Sequence, residues 1–216
     1  MRLLITGGRG VLGRAFRAPA RSAGHDLNAP SRSELDLFDP VAVADAMRGI
    51  DAVIHLATRI QPLERLGDRD AWRENDRLRA DGSRILVDAA LAAEVEVYVQ
   101  PTVTFVYPPH GAATEDTPLH DVSPILESAL AAEQQTDRFA RSGRRGVVLR
   151  LGLLDGPGTG HDEPVSSLGA SLHVADAADA LLAALRIPSG VYNVCRDGER
   201  VSNARLKRVA GWQPRH

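Results

Sequence analysis

Thr6-Gly7-Gly8-Arg9-Gly10-Val11-Leu12-Gly13 follows directly on the apolar run Arg2-Leu3-Leu4-Ile5-Thr6, and this junction decides the fold. A short apolar run at the head of the chain reads as a parallel strand buried on both faces. Gly7, Gly10 and Gly13 recur every three residues ahead of a helical stretch over 10–23. Gly7 permits a tight strand-to-helix turn, Gly10 lets a pyrophosphate approach the backbone, and Gly13 lets the helix pack close to the sheet. The helix start offers free N–H groups and the positive end of its dipole to phosphates. Such spacing is weak alone, because a turn of this composition need not bind phosphate. Here it leaves the first strand, opens a helix and precedes alternating strands and helices, the context that the motif requires.

The alternation continues along the chain. Residues 25–29 read as a second strand, and Asp39-Pro40 starts a helix with a capping residue and proline at the first helical position. Gly49 stops that helix. Residues 52–56 form a buried strand, and the arginine-rich stretch 58–69 leads into a long helix ending near residue 93. A strand over 95–99 follows, then a proline-containing loop over 101–124, a helix over 125–141 and a buried strand over 146–151. Residues 155–169, rich in Gly, Pro and Ser, read as a loop. A helix over 174–186, a strand over 190–194 and a short helix over 202–210 complete the pattern. Strands separated by helices imply a parallel, right-handed, doubly wound α/β sheet.

Bulk properties narrow the function. The chain has 216 residues, room for one α/β domain with a modest appendage. A net charge of −2 suggests no electrostatic grip on nucleic acid or an anionic membrane. No apolar run has the length of a membrane span, and the chain starts on a strand rather than a signal peptide. The single cysteine, Cys195, forms no internal disulfide and reads as a small core residue, which suits a reducing cytoplasm.

Further stretches carry a resemblance. They are Asp36-Leu37, Asp51-Ala52-Val53-Ile54-His55-Leu56-Ala57, Val106-Tyr107-Pro108, and Leu149-Arg150 with Gly156-Pro157-Gly158. His173-Val174-Ala175-Asp176, Val191-Tyr192-Asn193-Val194 and Gly211-Trp212-Gln213-Pro214 follow in order. With the glycine turn, they make the chain resemble the extended short-chain dehydrogenase/reductases, the NAD-dependent epimerase/dehydratase group. The run Ser31-Arg32-Ser33-Glu34-Leu35-Asp36-Leu37 is similar to the dehydrorhamnose reductase branch. The resemblance implies a Rossmann-like core over residues 1–154 and a shortened C-terminal substrate lobe over 155–216, partly interleaved with it. It also implies a small-molecule substrate, and a homodimer through the helices at 71–93 and 125–141.

By the same resemblance Gly7, Gly10 and Gly13 carry the pyrophosphate, with Gly8, Arg9, Val11 and Leu12 in the same turn. Asp36 and Leu37 flank the adenine, Leu56 and Ala57 line the nicotinamide-side ribose, and Thr58 and Leu153 complete the cofactor set. An acid at the end of the second strand would bind the ribose 2′-OH, whereas an arginine suits a 2′-phosphate. Asn28-Ala29-Pro30-Ser31-Arg32 holds no acid and one fork-shaped cation. The expected cofactor is therefore NADP, with NAD as the other possibility. Arg32, helped by Arg9, would hold the phosphate; a solvated surface arginine is the competing reading.

The catalytic pattern departs from the family. Its chemistry rests on a tyrosine, a lysine four residues later and a Ser or Thr on the preceding loop. Residues four apart share a helix face, so the lysine lowers the tyrosine pKa while the tyrosine exchanges a proton with substrate oxygen. Aligning Ser128-Ala129-Leu130-Ala131-Ala132-Glu133 with the family's Ser-Lys-Leu-x-x-Glu places Ile125 at the tyrosine and Ala129 at the lysine. Lys207 is the only lysine, so no other register restores the pair. The Ser/Thr position falls on Val103, between Thr102 and Thr104, and Arg79 stands where the family has asparagine.

Thr102, Thr104 and Tyr107 are the remaining catalytic candidates, each with a packing role as the alternative. His110, His120 and Asp121 in the following loop could supply a proton near neutral pH. His173 and Asp176 match a structural segment of the family, and no spacing suggests a metal site. Two readings stand. One is an NADP(H)-dependent oxidoreductase or epimerase/dehydratase-like enzyme with a non-standard mechanism. The other is a catalytically silent cofactor-binding sensor or partner subunit.

Overall fold

The structure, a computed structural model, describes residues 1–65, 67–120, 122–165 and 169–216. Six parallel strands form the main sheet: β1 (Arg2–Thr6), β2 (Asp26–Asn28), β3 (Ala52–His55), β4 (Val97–Val103), β5 (Arg145–Leu151) and β8 (Gly190–Val194). Their spatial order is β2-β1-β3-β4-β5-β8. β6 (Leu153–Asp155) and β7 (Ser171–His173) make a separate two-stranded parallel sheet.

Side-chain alternation along the strands sorts the core into two layers. Leu3 and Ile5 of β1, with Val97 and Val99 of β4, pack with Phe16 and Ala20 of α1 (Val11–Ser22) and with α6 (Val174–Ala184). The intervening Leu4, Val53 and Tyr98 face α2 (Pro40–Ala46), α4 (Ser83–Ala92) and α5 (Glu127–Arg141). This is the period-two rule of a strand covered on both faces. Tyr98 and Phe139 meet with ring centroids 5.7 Å apart in the second layer. Burying either aromatic ring removes enough apolar surface from water to contribute several kcal/mol.

Local signals account for most boundaries. Asp39 caps α2, accepting from the N–H groups of Val41 (2.9 Å) and Ala42 (3.3 Å), with Pro40 at the first helical position. Gly211 ends α7 (Ala204–Ala210) in the left-handed conformation, at φ 66°. Two segments differ from the sequence reading. The long helix before β4 is α3 (Arg69–Arg77) and α4, joined by one π-helical turn, Leu78–Gly82. β4 continues through Pro101 to Val103. β3 pairs with β4 only as far as Val99, while β5 pairs to Val103. Beyond Val99 one side of the strand is therefore free of ladder demands, and a residue without N–H is tolerated there.

Within residues 155–216, β8 extends the main sheet, α6 packs against α1, and Leu206 and Trp212 enter the first core layer. The tail is held by Asp176, fully buried on α6, which accepts from the backbone N–H of Arg215 and of His216, each at 3.1 Å. Trp212 Nε1 donates to the Asp176 carbonyl at 3.1 Å. Asp176→Ala should lower the unfolding free energy by about 1–3 kcal/mol, because two donors lose their acceptor. Urea denaturation of the variant and the parent checks this.

Candidate functional site

Strand order reverses direction between β1 and β3, and in open α/β sheets that reversal opens a crevice at the carboxyl ends of the strands. Gly7 lies there at φ +69°, and a Cβ on it would stand 2.5 Å from the Leu56 carbonyl carbon and the Ala57 nitrogen. Both are backbone atoms at the end of β3 and cannot give way. A Cβ on Gly13 would meet Gly8 Cα at 2.5 Å. Gly13 thus lets α1 close on the turn itself, where the sequence suggested contact with the sheet. Gly10 donates its N–H to Gly7 O at 2.9 Å, and the first intrahelical bond runs from Arg14 N–H to Gly10 O at 2.9 Å. The N–H groups of Val11, Leu12 and Gly13 precede that ladder and have no intrahelical acceptor. A bare backbone surface with oriented donors at a helix start fits a dinucleotide pyrophosphate.

The rim beyond β2 bears an open groove of about 640 Å³, lined among others by Arg9, Asn28 and Glu34. Glu34 is the residue that the sequence reading passed over. A tight turn, Glu34 N–H to Ser31 O at 3.1 Å, folds its carboxylate back onto the strand end. There it accepts from the Ser31 hydroxyl (2.6 Å) and N–H (2.7 Å) and from Arg9 (3.2 Å). The Ser31 bonds hold the carboxyl below its usual range. An acid therefore does stand against the end of β2 in space, although it follows the expected strand end, Ala29, by five residues in sequence. Arg32 is 85% exposed and paired with Glu74 of α3 at 2.6 Å. Asp36 is exposed and accepts from Phe38 N–H at 2.9 Å, while Leu37 is buried in the second core layer. Leu56, Ala57 and Leu153 are half-buried, and Thr58 is exposed.

A closed polar network fills the region behind the crevice. Arg150 of β5 grips Glu133 of α5 through two bonds, 2.9 and 2.6 Å, and Thr102 donates to the same carboxylate at 2.7 Å. Arg150 also donates to the Tyr107 hydroxyl at 2.8 Å, which donates to Asn193 Oδ1 at 2.7 Å. Burial works against the charge of Arg150, but the Glu133 bonds outweigh it and raise its pKa. Burial raises Tyr107 as well. The hydroxyls of Thr102 and Tyr107 are thus engaged, while Thr104 Oγ1 is buried with no partner among the described residues. Ile125 sits in the turn Pro124–Leu126, and Ala129 is fully buried on α5.

The π turn faces this network. His55, fully buried at the end of β3, is bonded to Thr6 Oγ1 at 2.6 Å and to the Leu78 carbonyl at 3.2 Å. That pairing suits a neutral ring with Nε2–H donating to Leu78 and the Thr6 hydroxyl donating to Nδ1. Arg79 is 4% exposed, and burial pulls its pKa down to about 10, with Asp76 and Glu133 partly opposing. It remains a cation at neutral pH.

His110 and His120 are exposed on their loop, and Asp121 lies outside the described residues, as do residues 166–168 of the expected 155–169 loop. His173 caps α6, its Nδ1 accepting from Ala175 N–H at 3.3 Å, and stacks on His216. With Asp176 these rings bring three donor atoms within 4.8 Å of one another. Asp176 already accepts from the tail and lies 3.0 Å from His216 Nδ1. Cys195 is buried, its thiol pushed up to about 12 by burial. No helix among the described residues is long and apolar enough to cross a membrane.

Residues 3–172 match the family described as NAD dependent epimerase/dehydratase. The chain belongs to that family. Among curated relatives, a 3-diazoavenalumate denitrifying reductase of a Streptomyces species is 32% identical, aligning 86% of this chain with 72% of its own. A 2-alkyl-3-oxoalkanoate reductase of Stenotrophomonas maltophilia is 27% identical over 73% of this chain and 52% of its own, so this chain spans about half of that relative. Among solved structures, RMD from Pseudomonas aeruginosa complexed with NADPH superposes with a TM-score of 0.81 at 23% identity, covering all of this chain and 95% of the other. A short-chain dehydrogenase/reductase superfamily protein from Agrobacterium tumefaciens with bound NAD gives 0.79 at 22%, covering all of this chain and 93% of the other. These likenesses fix the Rossmann-like α/β fold of the family in this chain.

The network leads to a pH prediction. Burial drives His55 from 6.5 to about 4, so the unfolded chain binds the extra proton between those values. Stability therefore rises with pH across that window, by about 3 kcal/mol from this residue, and is fully present above it. Urea midpoints over the acid range should show His55→Gln with a limb flatter by about that amount.

Proposed function

We propose that this protein is an NADP(H)-dependent reductase of a small, carboxylate-bearing metabolite, working without a protein proton donor at the acceptor carbon. One observation carries the reading: the chain has an intact glycine cradle, yet Ile125 and the buried Ala129 stand where the family resemblance puts its tyrosine and lysine. When bound, a reduced nicotinamide supplies hydride. Gly7, Gly10 and Gly13 would hold its pyrophosphate, and Leu56 and Ala57 would flank its ribose.

Carbonyl reduction places negative charge on oxygen, and a positioned acid ordinarily meets it. Here the Thr102 and Tyr107 hydroxyls are held by Glu133, Arg150 and Asn193. An acceptor that brings its own leaving group removes the need for an acid. At a diazonium carbon, the C–H bond forms, the C–N bond breaks and its electron pair departs with dinitrogen. No oxygen gains charge, and the protein's part reduces to orienting the substrate and excluding water. The relative named as a denitrifying reductase supports this acceptor, and the names of both curated relatives are those of carboxylates. The 3-oxoalkanoate name makes a ketone the competing acceptor.

Arg9 and Arg32 favour a 2′-phosphate, and Glu34 at the end of β2 favours the second reading, NADH. A homodimer through the helices at 71–93 (α3 and α4) and 125–141 (α5) and a reducing cytoplasmic setting belong to the same proposal. A closed network around both hydroxyls also supports a silent cofactor-binding protein, and the experiment separates the two. Calorimetric titration should give NADPH binding about tenfold tighter than NADH, and Glu34→Gln should tighten NADPH further. Loss of NADH affinity in Glu34→Gln would instead assign the acid to the ribose. NADPH oxidation should occur with a diazobenzoate and not with acetoacetate, measured against a Gly13→Val background. Binding without turnover of either compound would leave the silent reading.

A further inference from the structure

Arg79 is nearly inaccessible, yet among the described residues it forms no ion pair, and its Nε–H has no acceptor. Asn75, fully buried one helical turn earlier, places Oδ1 on the Arg59 N–H at 3.1 Å and leaves Nδ2 without an acceptor. Both orphan atoms are donors. Residues four apart lie on one side of a helix, which puts both donors on the buried side of this segment. The carboxylates whose charge reaches Arg79, Asp76 and Glu133, are already committed. Asp76 accepts from Ser128 at 2.7 Å and from Arg69 at 2.8 Å. Glu133 serves Thr102 and both contacting nitrogens of Arg150. Protein interiors rarely leave such a cation uncompensated, and buried orphan donors call for an acceptor from outside the chain.

The position suits a ligand. The Asp76–Ser128 bond ties α3 to α5, and the charge of Glu133 on α5 reaches Arg79. The charge of Arg79 in turn reaches His55 at the carboxyl end of β3. Arg79 therefore stands beside the crevice where open α/β sheets bind ligands. It lies in the π turn, a local rewinding found disproportionately at functional sites.

We propose that Arg79 and Asn75 form a recess that binds the substrate's carboxylate, one oxygen on the guanidinium and the other on Asn75 Nδ2. The Arg fork matches a planar carboxylate, and the negative Asp76 and Glu133 nearby favour a monoanion over a phosphate dianion. The recess rests on the reductase reading only for the molecule that brings the carboxylate.

The test uses cinnamate, its neutral isostere cinnamide and inorganic phosphate on the intact protein, followed by the Arg79 Nε–H resonance and by calorimetry. The resonance is assigned by its loss in Arg79→Met. Cinnamate should shift it and cinnamide should not. Arg79→Met should bind cinnamate roughly tenfold or more weakly, keep its NADPH affinity, and melt no lower than the parent, because a solitary buried cation has gone. Arg79→Lys, which keeps the charge and loses the fork, should also weaken cinnamate. Equal binding of cinnamate and cinnamide, no response to either, or tighter binding of phosphate would overturn the proposal. So would an Arg79→Met protein that melts lower while holding cinnamate as before, the signature of a structural arginine. The NADPH titration on the same samples fails or succeeds independently, so loss of the cofactor reading and loss of the recess are separately visible.

Discussion

Glu133 is a single buried carboxylate with two guanidiniums competing for it, and it belongs to Arg150. The bidentate grip joins α5 to β5, Thr102 brings in β4, and Tyr107 with Asn193 extends the chain of bonds to β8. A pair taken this far from water contributes little net stability against an apolar replacement, yet loss of one partner costs about 3–5 kcal/mol. The pair therefore acts as a registry device, fixing where α5 sits over the sheet. Its other consequence is negative: with Glu133 saturated, Arg79 has no ion-pair partner among the described residues. The same carboxylate that holds Arg150 thus leaves the buried Arg79 uncompensated among the described residues.

The crevice itself depends on missing atoms. β1 and β3 can diverge around a crevice while their ends touch only because Gly7 has no side chain against Leu56 and Ala57. Alanine at that position would need both a left-handed φ and overlap with backbone, so no side-chain adjustment relieves it. The fold places this close backbone approach and the free helix-start donors within one turn of chain. The glycine turn is thus shaped by local stereochemistry, whereas the Glu133 network is set by long-range packing of α5 on the sheet.

That difference explains what could be read in the chain. Gly7, Gly10 and Gly13, the Asp39-Pro40 cap and the apolar strand runs are local signals, and each element they mark is present. Pro101 read as a loop residue because proline usually breaks a ladder, but β3 has already ended beside it. Glu34 was missed because the acid was sought on the strand end in sequence, and a turn returns it there in space. The Glu133–Arg150 pair joins residues that no local pattern relates. Arg79 did carry a signal: Trp72, Asn75, Arg79 and Ser83 follow helical spacing on a buried face, and two of the four are polar without evident partners.

The departures from the family then read as one change rather than several. A lysine at residue 129 and an arginine at residue 79 would crowd two cations around a carboxylate already neutralised by Arg150. With alanine at 129, fully buried and apolar, the buried cation without an ion pair among the described residues is Arg79, in the segment between α3 and α4 rather than on α5. A cation on α5 four residues after a tyrosine serves proton transfer. A cation on the neighbouring helix, with no tyrosine beside it and an orphan amide one turn away, serves recognition. Loss of the proton relay and gain of a buried anion recess are therefore consistent with a shift from oxygen chemistry toward an acceptor whose leaving group carries the electrons away.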